Sequence, residues 1–383
     1  MKYQIDIKAS DGTKCGDGPL LPTGWDHTQR LSRAGSISFT YPALNKRKDE
    51  VISHRTAHCR SVDQTRGVAD FGSGIIQQIT LGIQTSNKIE MKVTGGDLMR
   101  ELQKKTVGQL VIDDGAGGET TTAPADIMAF APSGWTLDTA TGYNSTTKAI
   151  LHTFDGETIL AALVRLAELT GENFYNDGRK IVWMQTDQHA ATVRAVQATG
   201  GISLNTNPDI CIISSLTQNE DSSKSKIGRL YAIDKNDLNL STTTKTPPSG
   251  WLIGNDARGY YLEHTATWNS YGIEAWEKMS DIDGVDPLYE AAYEYITLRM
   301  ADYFSYTLTI TGLQKPLHPG QLIAVEYRKF KEGYKAIDIN EELLILENAV
   351  KVNALGNASN RLTIANIARW PDGSAEVFAR NLK

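Results

Sequence analysis

The sequence predicts an α+β chain that is mainly β, its many short strands suggesting a small barrel or sandwich, with helix-containing α+β insertions. Three observations predict it. Short alternating segments stand at both ends of the chain, from Tyr3, Ile5 and Ile7 set among Lys2, Gln4, Asp6 and Lys8 to Leu322–Tyr327 and Arg361–Ala368. A period of two marks a strand with one buried face. Only two long segments carry a helical period, both in the interior. Turn chemistry such as Asn176-Asp177-Gly178 and Pro319-Gly320 separates the short strands, as in a small barrel or sandwich.

Residues 1–94 read as the first barrel. Ser36–Tyr41 alternates, and Val51–Val62 and Gly74–Ile83 supply further strands, with Gly72 and Gly74 as breakers. Residues 95–200 read as an α+β insertion. Gly95-Gly96-Asp97 opens a short helix over Leu98–Thr106, which Asp97 can cap. The Gly- and Thr-rich stretch Asp113–Pro124 lacks an apolar period and reads as a loop. Asp155–Gly171 is the clearest helix. Ile159, Leu160, Leu163, Val164, Leu166, Ala167 and Leu169 form its apolar face, with Asp155 suited to its N-terminal dipole and Gly171 to its C-terminus. Asn173–Tyr175 and Lys180–Met184 flank the Asp-Gly turn as a hairpin.

Residues 201–280 read as a linker and the start of the second barrel. Ile210–Ser215 is the best strand there, Ser222–Lys226 is a loop, and Ser241–Gly250 is a loop and unit boundary. Residues 281–305 hold a long helix, Asp286–Ser305, with Pro287 at its first position after an Asp cap. Residues 306–383 supply the second-barrel strands Tyr306–Ile310, Leu322–Tyr327 and Asn340–Val352, and a C-terminal strand pair.

Composition narrows the function. The 383 residues are 40% hydrophobic and 22% charged, ordinary for a globular chain, with a net charge of -6 that argues against a dedicated nucleic-acid binder. The start MKYQIDIKAS has no apolar run behind a basic end, and no segment approaches ~18 apolar residues, so neither a signal peptide nor a membrane-spanning segment is expected. Cys15, Cys59 and Cys211 form no CxxC pair and read as free thiols of a chain made in a reducing cytosol.

Candidate chemistry is sparse. His54 and His58, with Cys59 beside them, would share a helix face, but the stretch reads as strand, where four residues span ~13 Å at ~3.3 Å each, too far for one metal. Asp281, Asp283 and Asp286 have the density of a calcium loop but lack its closing acidic residue, so turn and cap roles are expected. Glu157 with Glu172, and Glu341 with Glu342, are the pairs a glycosidase would need across a cleft. There is no GxSxG, HExxH or GxxxxGK[ST], and Gly72-Ser73-Gly74 is not a nucleophile elbow. Lys46-Arg47-Lys48 reads as a solvated turn. Seven tryptophans, among them Trp25, Trp135, Trp251, Trp268, Trp276 and Trp370, read mainly as core, with interface anchors or sugar platforms as the other roles open to them. No catalytic, cofactor-binding or metal residue is assigned, and no enzyme is expected.

The order of the pieces resembles the tail hub or baseplate hub family of phage tails and related contractile injection systems. Four pieces carry the resemblance. They are the barrel start GSISFTYPALNKRKDEV (Gly35–Val51) with the later FGSGIIQQIT (Phe71–Thr80), and the helix and hairpin ETILAALVRLAELTGENFYNDGRKIVW (Glu157–Trp183). The others are the helix leading into TLTITGLQKPLHPGQLIAVEY (Thr307–Tyr327), and the final strands LLILENAVKVNA and RLTIANIAR. The resemblance implies a structural virion protein, a homotrimeric hub at the distal end of a tail. It implies that two small β-barrels per chain adapt a hexameric tube to a trimeric tip and line the exit channel. The implied partners are the tail tube or distal tail ring, the tape-measure protein, a tip fibre or spike, and genomic DNA passing without specific binding. The implied place is the virion tail tip, after synthesis in the host cytoplasm. Longer members carry a C-terminal lytic or fibre domain, which is not expected here. The alternatives are a hexameric distal tail or tube-like ring protein, a tail-associated cell-wall hydrolase and a carbohydrate-binding module.

Overall fold

The computed structural model describes residues 2–9, 12–16, 18–63, 67–83, 89–139, 144–147, 149–184, 193–197, 209–220, 226–279, 282–300, 304–313, 317–331, 334–353, 355 and 357–366. They fall into two compact units, Met1–Gln218 with Tyr306–Lys383, and Asn219–Ser305.

The first unit is built on one twelve-stranded sheet. Its N-terminal half runs in the order Lys2–Lys8, Thr56–Asp63, Gly67–Ile83, Ile89–Asp97, Arg33–Pro42, Gly24–Arg30, with every neighbouring pair antiparallel. Leu20 lies against the free edge of the first strand, exchanging backbone hydrogen bonds of 2.9 and 2.7 Å with Ile5. Alternate residues point inward: Ile5 and Ile7, Ile37, Phe39 and Tyr41, Ala57 and Cys59, Met91 and Val93 form one buried cluster.

The C-terminal half closes on itself. Tyr334–Val352 pairs with Leu322–Lys331, and the ring continues through Val193–Gln197, Ile210–Glu220, Phe304–Thr311 and Ala358–Ala365 back to Tyr334–Val352. These six strands make a closed barrel, which removes the exposed edges of an open sheet. The short Val193–Gln197 is parallel to both neighbours. The two halves are joined through Tyr334–Val352. Its 19 residues reach roughly 60 Å when extended. The first part of this strand pairs with Leu322–Lys331, and the last part pairs with Gly24–Arg30, Trp25 facing Val352.

Between the halves lies a helix-containing insertion with its own core of Leu98, Met99, Leu102, Ile127, Phe154, Leu163, Leu166 and Trp183, among others. Its main helix is Ile159–Thr170. Thr158 caps it, accepting from the Ala161 N–H at 3.2 Å, and Asp155, expected at the helix start, ends the strand His152–Asp155. Gly171 closes the helix at φ 73°, a conformation that disfavours a side chain. The predicted Leu98–Thr106 helix is a 3₁₀ segment, Leu98–Lys104. The hairpin forms from Asn173–Asp177 and Lys180–Met184, with Gly178 and Arg179 at the tip.

The second unit corrects the sequence reading. Within residues 201–280, expected as a linker and the start of the second barrel, Ile210–Glu220 is a strand of the closed barrel, but the barrel does not continue from there. From Asn219 onward the residues belong to a separate unit, and Ser241–Gly250 lies inside it. Ser222 to Ser225 lie outside the described residues. Four strands in the order Trp251–Asp256, Gly259–His264, Ile227–Ile233, Ile273–Lys278 form its sheet. The long helix is Val285–Met300, and its Leu288, Ala292 and Ile296 pack on Leu230, Ala232 and Leu262. The sheet escaped the sequence reading because its other face carries aromatic and charged residues, which blur the polar half of the alternation. The second barrel also draws Val193–Gln197 from the stretch 95–200 assigned to the insertion. Among the described residues no helix is long and apolar enough to cross a membrane.

Candidate functional site

The residues that carry chemistry are mostly occupied by the chain itself. Glu172 is buried at the C-terminal end of Ile159–Thr170 and accepts from the Thr147 N–H at 2.6 Å, the Thr147 hydroxyl and the Trp183 indole N–H. Glu157 sits before the other end of that helix, accepting from the Asp155 N–H at 2.6 Å. A helix of 12 residues separates them, ~18 Å of rise. That exceeds the ~5–10 Å between the carboxyl groups of a glycosidase pair. Glu341 and Glu342 are adjacent on the long strand, so their side chains leave opposite faces.

His54 stands in a turn at φ 69° and is exposed, whereas His58 lies in the strand Thr56–Asp63, 2.6 Å from the Ser73 hydroxyl and 3.7 Å from the Asp70 carboxylate. Cys59 turns into the buried cluster of the N-terminal half, where burial pushes its thiol well above the ordinary range. The three therefore do not converge. Among the described residues no group of three or more His, Cys, Asp or Glu side chains is placed to hold a metal ion. Asp281 lies outside the described residues. Asp283 pairs with Lys235 at 2.8 Å and accepts from Asn236. Asp286 takes the Thr243 hydroxyl at 2.7 Å and both the N–H and hydroxyl of Thr244, and these donors hold its carboxyl below the usual range. It pins the Leu240–Thr242 turn to the helix rather than capping the helix from outside.

Within Lys46-Arg47-Lys48, Arg47 is a strap. It makes a two-point contact with Glu50 at 2.6 and 2.7 Å and donates to the carbonyls of Gly18 and Pro19. Lys46 and Lys48 are exposed. Gly72, Ser73 and Gly74 lie within the strand Gly67–Ile83.

The tryptophans divide by role. Trp25, Trp135 and Trp183 are buried, their indole N–H groups bound by Phe71 O, Glu101 and Glu172. Trp370 lies outside the described residues. Trp251 packs against the second unit's core. Trp268 and Trp276 belong to that unit's outward side, and this surface was missed from sequence. Arg229 faces Glu263 on one neighbouring strand and Glu274 on the other, and Tyr231 faces Trp276. The Arg229 guanidinium lies between the rings of Tyr261 and Trp268, 4.0 and 3.9 Å from their centres, and binds Glu263 at 2.7 Å. Tyr231 donates to Asp256 at 2.7 Å, and Arg258 covers Tyr231 while binding Asp256 and Glu274. Trp276 is 60% exposed beside this network. Trp, Tyr and Arg on a pre-ordered scaffold are the residue types that dominate binding at protein interfaces. The turn Asp256–Gly259 between aromatic runs was the available signal.

An open groove of about 580 Å³ lies on the C-terminal barrel, lined by Arg194, Glu326, Arg328 and Asp338 among others. Its charges are paired within the wall, Arg194 with Glu326 and Arg328 with Asp338. Nothing there assembles a nucleophile with a base.

No family model matches the chain, and no curated protein matches its sequence. Solved structures do share its fold. The tail protein from Neisseria meningitidis MC58 is 15% identical with a TM-score of 0.61, over 97% of this chain and 99% of that one. The 43 kDa tail protein of prophage MuSo2 from Shewanella oneidensis is 13% identical with a TM-score of 0.60, over 94% and 98%. Prophage tail protein gp18 from Listeria monocytogenes EGD-e is 11% identical with a TM-score of 0.56, over 98% of each chain. At these identities the likeness establishes a common fold that spans essentially the whole of each chain.

Proposed function

We propose that the chain is a structural tail protein of a phage-type particle, working as a homotrimeric hub at the distal end of the tail. The observation that carries this reading is a six-stranded antiparallel half fused through Tyr334–Val352 to a closed six-stranded barrel, in a fold shared end to end with phage tail proteins. Two such halves per chain present six similar surfaces in a threefold assembly, which suits a sixfold tube on one side and a threefold tip on the other. Its work is mechanical: it closes the tube, passes on a conformational signal and surrounds the exit path of the DNA. Its neighbours are the tube or distal tail ring, the tape-measure protein and a tip fibre or spike. The acidic balance of the chain, -6, favours a lumen that DNA slides past over one that grips it.

Electron microscopy of the assembled particle tests the reading. Three copies in one ring at the tube end are expected. Six copies, or a position away from that end, would remove the hub assignment in favour of a tube-like ring protein. A zymogram on purified cell wall is expected to stay blank, and clearing that disappears on substitution of a single carboxylate would overturn the non-enzymatic reading.

A further inference from the structure

Exposed aliphatic side chains gather at one end of the N-terminal half. That end is where Arg33–Pro42, Gly67–Ile83 and Tyr334–Val352 finish and where Gly24–Arg30, Ile89–Asp97 and Ala358–Ala365 begin. The strand registers make it one rim: Leu81 faces Met91, Met91 faces Tyr41, Thr40 faces Gly24, and Val352 faces both Trp25 and Ala358. Four aliphatic residues are more than 60% exposed among the described residues, Leu21 at 62%, Leu44 at 79%, Leu81 at 68% and Leu355 at 81%. All four stand on this rim, each on a different connection or strand end.

The rim is built to hold them out. In the turn that carries Leu44, the Asn45 N–H donates to Pro42 O at 3.1 Å and the Asn45 side chain accepts from the Arg47 N–H at 3.0 Å. Arg47 straps that turn to the carbonyls of Gly18 and Pro19, next to the segment that bears Leu21. Leu21 itself lies between Leu20, paired with Ile5, and Pro22, whose carbonyl accepts from the Tyr3 hydroxyl at 3.1 Å. At the tip of the next connection the Asn353 side chain accepts from the Leu355 N–H at 2.9 Å and the Asn357 N–H at 3.0 Å. Pre-ordered turns that keep several leucines in water mark a contact surface.

The neighbouring charges identify what covers it. Lys46 and Lys48 are exposed in the Leu44 turn, Lys92 follows Met91, and Lys351 precedes Val352. None of the four is in an ion pair among the described residues. The exposed carboxylates described at this end are Asp26 and Asp49. The end is thus locally cationic in a chain whose net charge is -6. Protein interfaces are anchored by aromatic residues and Arg and are poor in Lys, which is the composition of the second unit's outward side and not of this rim. Leucines ringed by lysines suit a lipid surface. The aliphatic tips enter the boundary between headgroups and acyl chains, and the lysine stems lie along them while the ammonium groups reach the phosphates.

We propose that this rim is a peripheral docking site for an anionic lipid bilayer, with Leu21, Leu44, Leu81 and Leu355 inserting and Lys46, Lys48, Lys92 and Lys351 resting on the headgroups. The surface belongs to a single chain, so its test does not turn on the number of copies in a ring.

Flotation of the full chain with vesicles tests the site. Vesicles of phosphatidylcholine with about 30% phosphatidylglycerol, in about 0.1 M salt, are expected to bind the chain at least about tenfold more strongly than phosphatidylcholine alone. Raising the salt to about 0.5 M is expected to remove most of that preference. Leu44→Ser combined with Leu355→Ser is expected to weaken binding about tenfold or more at an unchanged melting temperature. If that variant melts early, Lys46→Gln combined with Lys48→Gln takes its place, with loss of the anionic preference expected. Trp276→Ala, on the second unit, is expected to bind as wild type does. Absence of wild-type binding to the anionic vesicles, or wild-type binding by both double variants, would sink the proposal. So would self-association that the leucine variant abolishes in a chain that ignores vesicles, since a second copy would then cover the rim.

Discussion

Asp97 shows how one buried charge is managed. Its side chain accepts from the Gly35 N–H at 2.7 Å, while its second oxygen is buried without a hydrogen-bond partner. Burial pushes its carboxyl up to about 7, against the lowering by the Gly35 and Met99 N–H groups, Arg100 and Arg30. Gly95 stands two residues before it, so close to Ile75 O that a side chain would not fit. The folded chain holds this proton more tightly than the unfolded chain. Its contribution is therefore full below about pH 4 and is lost as pH rises through about 7. Asp97→Asn keeps an acceptor for Gly35 and removes the charge. It is expected to raise stability by on the order of a few kcal/mol at about pH 8 and to change it little below pH 4, read from denaturant midpoints at the two pH values. Glu172 is the opposite case, with three donors spent on one carboxylate. Glu172→Ala strands those donors and is expected to cost about 3 kcal/mol or more, with the urea midpoint as the measure. Trp276 is mostly exposed, so Trp276→Ala is expected to leave the melting temperature within roughly a degree of wild type.

At the scale of elements, the sequence located the end of the helix Ile159–Thr170 and the hairpin after it nearly to the residue, and began the helix four residues early, at Asp155. Both are written in local chemistry, an apolar stripe closed by glycine and a tight turn closed by Gly178. It misplaced the start. Asp155 suited the dipole, but the preceding strand His152–Asp155 claims it, leaving Thr158 to accept from Ala161. Thr158→Ala is expected to cost about 1 kcal/mol, and the fully buried Leu163→Ala, on the same helix, 2–5 kcal/mol, both measurable by chemical denaturation. The candidate carboxylates were visible as residues. Their partners came from other elements: Trp183 and Thr147 for Glu172, and Thr243 and Thr244 for Asp286. No spacing rule reaches those partners.

At the scale of the whole molecule, the second unit interrupts the C-terminal barrel between two neighbouring strands, Ile210–Glu220 and Phe304–Thr311. The Ser214 hydroxyl already donates across them to Thr309 O at 2.9 Å. Replacing residues 221–303 with a short glycine-containing turn is expected to leave a cooperatively folding chain with its β circular dichroism signal intact. Loss of the cooperative transition would show that the second unit is needed to close the barrel.

The sequence by itself determined that the chain is mainly β, where its two principal helices lie and that its ends carry strands, because each of these is set by a local period or a local turn. It also determined the sparseness of catalytic motifs, which is read directly from residue order. Only the tertiary structure decided that Val193–Gln197 completes a barrel with strands more than a hundred residues later, and that Tyr334–Val352 serves both halves. It also decided that residues from Asn219 onward form a unit of their own. Strand pairing is a contact between distant segments, and alternation records which face a strand buries without recording its neighbour. The aromatic and charged side of the second unit was hidden for the same reason, since it is assembled from segments that meet only once its sheet has formed.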